Sequence, residues 1–223
     1  YSIYNMKICN IKKTNIDLFS NMGLVSTNKK TDFLIKLLLA SLIGAIGLIT
    51  NSQEGVIGSM LISPLGSPIM ALVSALFIFN VKNTLETLLY LVLGFVIMLG
   101  TGFVIGYFNK DQQPTEEMKK RYTRSTIWTL INGICVGVVF SIVALSSGSA
   151  VIEAVGAGIA ISLLPPIVNC GVTLSNNTLD YNTKKKNMIN TFMITLVNIV
   201  GIIIASFVIF SFHCKHKNIF KWE

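Results

Sequence analysis

Charged residues are missing from most of this chain. Residues 37–53, 56–79, 87–108, 127–145, 154–175 and 188–212 contain no Lys, Arg, Asp or Glu. Of the 223 residues 13% are charged and 52% hydrophobic, and the mean hydropathy is +0.67. A soluble domain rarely carries so much apolar sequence without interleaved charge. Runs of about twenty residues match a hydrocarbon layer of roughly 30 Å at about 1.5 Å rise per residue. Buried helices of a soluble core would be shorter and amphipathic, whereas these runs are apolar on every face. The chain therefore reads as a multi-pass integral membrane protein, with the cell or plasma membrane as the expected location.

Other scarcities exclude further classes. The cysteines are Cys9, Cys135, Cys170 and Cys214, with no CxxC pair, and two of them lie inside apolar runs. That is no disulfide framework. The only histidines, His213 and His216, sit in the tail stretch "HCKH", which lacks enough ligands at finger or helical spacing and reads as solvated tail. No metal and no cofactor are expected. There is no nucleophile elbow, HExxH, P-loop or paired Asp motif, so enzyme chemistry would have to be built from Ser, Asn and two edge glutamates. The reading is not an enzyme. Residues 1–31 lack the compact apolar core of a cleavable signal peptide, which leaves the first hydrophobic segment as the expected targeting signal.

What charge there is lies at the edges. The net charge of +8 comes from the tails and two loops, where membrane proteins carry orientation signals, so no nucleic-acid partner is expected. Six hydrophobic segments follow, at about 33–50, 56–79, 85–108, 125–147, 151–175 and 188–212. The expected organisation is a polar tail (1–31), a first membrane repeat (32–108), a charged linker (109–124), a second repeat (125–212) and a C-terminal tail (213–223). The fold class is all-α, a polytopic helix bundle of two three-segment repeats.

The repeat rests on a gapless register of 99 positions. "EGVIGSMLISPL" from Glu54 falls on "EAVGAGIAISLL" from Glu153; Val56 meets Val155, Ile62 meets Ile161, Ser63 meets Ser162 and Leu65 meets Leu164. Asn83 and Thr84 fall on Asn182 and Thr183. Both middle segments carry a proline break, Pro64 and Pro68 around Gly66 in one, Pro165 and Pro166 in the other. Proline removes a backbone donor and clashes with the preceding turn. Paired interruptions in two halves are the strongest sequence pointer to a transporter's site.

"GLITNSQEGVIGSMLISPLGSPIMAL", "GAGIAISLLPPIVNCGVTL" and "TLVNIVGIIIAS" resemble the hallmark stretches of a hydrophobic membrane family catalogued as domain of unknown function 389. The resemblance spans roughly residues 33 to 212 and implies a multi-helix membrane protein, with no reaction assigned. Longer members carry a soluble domain at the amino end, and 31 residues are too few for one.

Candidate pathway residues cluster at the breaks. Free N–H and carbonyl groups of half-helices can coordinate an ion or small polar solute, with Ser63, Ser67, Ser162 and Asn169 completing the site. The competing reading is a packing kink capped by serine. Glu54 and Glu153 either gather cations at the membrane boundary or are first-turn carboxylates favoured by the helix dipole. Asn51, Asn132 and Asn198 either line a path or hydrogen-bond across helices. The GxxxG pairs Gly102–Gly106 and Gly133–Gly137 mark either an oligomer contact or close packing inside one subunit. Lys12, Lys13, Lys29 and Lys30 either meet anionic lipid or belong to a solvated tail.

Segments two and five either span with a break or turn back as re-entrant hairpins, and charge counting leans towards hairpins. Both arrangements place the two termini in the cytoplasm. The expected function is a channel or transporter for an ion or small polar solute, within a homo-oligomer. The alternative is a non-transporting membrane scaffold or sensor module.

Overall fold

The computed structural model describes residues 27–146 and 163–215. Among these are eight helices and no strand. They are α1 (Thr27–Ile49), α2 (Gln53–Ile62), α3 (Gly66–Phe77), α4 (Val81–Phe108), α5 (Glu116–Tyr122), α6 (Thr126–Ser146), α7 (Leu163–Ser175) and α8 (Tyr181–Lys215). Three are long and apolar enough to cross a membrane alone, within α1, α4 and α8; a fourth span is made if α5 and α6, bent by 85°, count together.

The helix ends follow from local chemistry. After α1, Asn51 takes a left-handed conformation (φ 57°), Ser52 N–H donates to Gly47 O at 2.9 Å, and Asn51 N–H donates to Leu48 O at 3.4 Å. This is a Schellman stop, and asparagine tolerates its backbone better than most residues. Phe79 (φ 54°) closes α3 in the same way, with Asn80 N–H donating to Ala75 O at 2.9 Å. Asn80 then caps α4 by accepting from Asn83 N–H.

The order of contacts fixes the run of the chain. Helix α2 descends antiparallel to α1: a methyl at Gly47 would lie 2.7 Å from Val56 N, and one at Gly44 would lie 3.0 Å from Ser59 Oγ. Below the break, Leu65 sits beside Gly94 of α4 together with Leu37 of α1. Helix α3 then ends where Phe77 stacks edge-to-face on Phe207 and Phe210 of α8, both centroid distances being 5.5 Å. Those rings belong to the end of α8 remote from Tyr181. The second hydrophobic segment therefore continues across the molecule after its break instead of turning back. The hairpin alternative does not hold for it, because the chain leaves the break towards the far end of α8. The opening part of the fifth segment lies outside the described residues.

Burial is inverted relative to a soluble protein. Every described side chain from Leu65 to Ala75 is enclosed, just beyond the half-buried Pro64, as are all from Leu163 to Thr173. By contrast α1, α4, α6 and α8 turn large apolar side chains outward, among them Leu39, Leu89, Val96, Val139, Phe192 and Ile204. An exposed apolar surface of this extent needs lipid around it.

Candidate functional site

Helix α2 ends at Ser63 because Pro64 follows. A residue before proline is pushed out of the helical region, and Ser63 is extended (φ −66°, ψ 127°). Pro68 causes no break of its own: it is the third residue of α3, in the first turn, where its missing N–H is not needed. Leu65, before α3, offers no side-chain cap. Pro165 and Pro166 likewise stand in the first described turn of α7. The break is thus a three-residue link, Ser63 to Leu65, held inside the bundle. The Ser63 hydroxyl is buried and has no hydrogen-bond partner among the described residues. A buried polar atom without a partner costs roughly 1–3 kcal/mol.

Helix α7 meets this link from the other half. Its Leu164 lies against Gly44 at the level of Ser59, one turn above Ser63. Two turns onward, α7 packs backbone to backbone on α4. A methyl at Gly102 would overlap Val168 O, one at Gly106 would lie 2.8 Å from the Val172 Cα, and one at Gly171 would lie 2.7 Å from Phe103 N. The other pair behaves alike: methyls at Gly133 and Gly137 would lie 2.7 Å from Asn198 O and Ile202 O of α8. Both GxxxG pairs serve packing within the subunit.

Asn169 is fully buried in α7 and donates from Nδ2 to Met118 O at 3.1 Å; its Oδ1 has no partner among the described residues. Met118 belongs to α5, which is docked at one end of the bundle by further bonds. Thr115 Oγ1 donates to Leu48 O at 2.6 Å, Glu117 N–H donates to Asn51 Oδ1 at 3.0 Å, and Asn176 Nδ2 donates to Gln112 O at 2.7 Å. Glu117 is 4% exposed and pairs with Lys120 (2.6 Å) and Arg121 (2.7 Å). The Lys120 ammonium above all, and then the Arg121 guanidinium, hold its carboxyl below the ordinary range against the opposing push of burial.

The remaining candidates are dispersed. Glu54 is exposed in the first turn of α2, accepting from Ser52 Oγ at 3.1 Å while Ser52 caps Gly55 N–H. That is where a carboxylate complements the helix dipole. Asn198 is buried in α8 against Gly133. Gly66 is buried as the first residue of α3, and Ser67 follows it in the backbone of that turn. Ser162 and Glu153 lie outside the described residues. Ser63, Asn169 and Asn198 therefore occupy three interfaces: the α2–α3 link, the α5–α7 contact and the α6–α8 seam. The sequence reading passed over Thr115 and Glu117, and took Arg121 only as one of the loop's orientation charges. Their signal was present in "PTEEMKKR", a capping threonine, two first-turn acids and a basic last turn.

Lipid-facing outer helices around the buried helices α3 and α7 define, among the described residues, an all-helical membrane-embedded protein. The family model for the domain of unknown function DUF389 matches residues 60–204. The chain belongs to that family. It is also similar to an uncharacterized protein of Methanocaldococcus jannaschii, 23% identical over 184 residues, which are 82% of this chain and 55% of that protein. The chain thus spans about half the length of the curated relative it matches.

Proposed function

We propose that the protein conducts or transports a small ion or polar solute along a path at the interrupted segments. The observation that carries this reading is the buried link at Ser63–Leu65, whose Ser63 hydroxyl has no partner among the described residues, as the Asn169 carbonyl has none at the α5–α7 contact. Irregular backbone at membrane depth is tolerated where it lines a cavity, and half-helix ends there are ready ligands.

Two inverted halves support the same reading. Helix α1 begins at Thr27 and α6 at Thr126; α4 begins at Val81 and α8 at Tyr181. These starts follow the 99-residue register to within one position. Each half pairs its first and third helices, α1 with α4 and α6 with α8; α7 packs on α4 of the other half, and α3 packs chiefly on α4 of its own half and also on α8 of the other. The halves run in opposite senses, as inverted-repeat transporters do. A homo-oligomer in the plasma membrane with both chain ends in the cytoplasm completes the proposal.

The test is flux by purified protein in liposomes, over a panel of ions and small solutes. Pro64→Ala and Pro165→Ala should each reduce flux severalfold, Pro64→Ala by letting α2 and α3 join. Full flux in both variants defeats the broken-helix path. A wild type passing nothing in the panel favours the scaffold reading instead.

A further inference from the structure

Where α5 bends by 85° into α6, the corner opens against the first turns of α8 as a cleft of about 520 Å³. Arg124 and Lys186 stand on its two sides. Neither has a carboxylate partner among the described residues, because the nearby acids are engaged. Glu116 holds Lys119 and Glu117 holds Lys120 and Arg121. Asp180 accepts from the N–H groups of Asn182 and Thr183. The side chains of Thr126, Thr183 and Asn190 add uncharged donors to the lining, and the amino end of the 21-residue helix α6 opens into the same space.

Depth and floor narrow the ligand. Trp128 and Tyr181, each two residues from a lining threonine, are 69% and 77% exposed. Amphipathic rings of this kind mark the headgroup level of a bilayer. The cleft's floor is Met193 and Ile194, and Met193 continues outward onto the apolar face formed with Ile189, Phe192 and Leu196. A cationic rim at headgroup level above an apolar floor that runs onto the lipid-facing surface suits a phosphate joined to acyl chains.

We propose that this cleft is a binding site for the phosphate group of an anionic phospholipid, clamped between Arg124 and Lys186, independently of any transport path. The full chain would be purified in mild detergent and exposed to equal amounts of phosphatidylglycerol and phosphatidylcholine of matched chains, with retained lipid counted by native mass spectrometry. The expected result is selective retention of phosphatidylglycerol, falling roughly tenfold in R124Q/K186Q. Lys82→Gln, at the far end of the bundle, should leave retention unchanged, and an unaltered thermal transition should show that both variants are folded. If inorganic phosphate binds with the same dependence on Arg124 and Lys186 while lipid does not, the site stands with a soluble anion as its source. Equal retention of both lipids with no phosphate binding, or an equal loss in K82Q, overturns the proposal.

Discussion

The outer helices and the inner half-helices obey opposite rules. Helices α1, α4, α6 and α8 carry many of their Leu, Ile, Val and Phe outward, while α3 and α7 are short, enclosed over most of their length, and contain Gly66, Pro68, Ser74, Pro165, Pro166, Asn169 and Gly171. Hydrophobicity does not drive apolar helices together in lipid, so the interior is selected for close fit, and small or polar residues supply it. The difference teaches where substitutions will be felt.

The largest effect is expected at Gly171. Its Cα sits against the α4 backbone, so Gly171→Leu forces α4 and α7 apart and should cost about 3 kcal/mol or prevent folding. Leu89→Ala, on the exposed face of α4, should change stability by less than about 0.5 kcal/mol. Thermal unfolding of both variants in detergent measures the contrast, and equal effects would break the inside–outside distinction.

Next comes the α5 dock, which ties inner and outer helices together. Glu117→Gln should cost about 2 kcal/mol, with the Arg121 contact contributing most because Lys120 is 59% exposed and screened. The sign of the pH effect follows from the lowered carboxyl. Its stabilisation is complete above the ordinary carboxylate pKa and disappears as pH falls through the depressed value. Hydrogen exchange at Thr115 to Tyr122, measured relative to the intrinsic rate at each pH, should therefore rise in the wild type as pH falls below the ordinary carboxylate range. In Glu117→Gln it should be high throughout, with no acid limb of this origin.

The same contrast explains what was legible. Apolar runs report the outer helices directly, since lipid selects for every face, and the break at Pro64 is local backbone chemistry. The direction taken after the break was not legible. It is set by where Phe77 finds Phe207 and Phe210, more than 120 residues away in sequence, and charge counting pointed towards hairpins. Asn169 was legible as a buried polar residue beside a break, but its partner is the Met118 carbonyl, and a backbone acceptor leaves no trace in side-chain identity. Nor could spacing decide what the GxxxG pairs face: α7 and α8 supply the facing backbones, which only the packed structure brings near.

A smaller effect is expected at Asn51, where backbone and side-chain roles separate. Asn51→Gly keeps the left-handed stop of α1 but removes the acceptor for Glu117 N–H, so about 1 kcal/mol of the α5 dock should be lost with α1 intact. Exchange should rise in α5 alone; a parallel rise in the last turn of α1 would show that the side chain holds the stop as well.

The smallest effect has the opposite sign. Phe79 adopts the same left-handed stop at the end of α3, although its β-carbon disfavours it, and its ring is 88% exposed. Phe79→Gly relieves that strain and should stabilise the protein by about 0.5–1 kcal/mol in detergent, where no headgroup layer rewards the ring. In a bilayer the gain should shrink, because aromatic rings at the membrane boundary anchor their helix. Comparing the variant's thermal shift in detergent and in nanodiscs separates the two contributions. An equal gain in both media means that Phe79 makes no use of the interface.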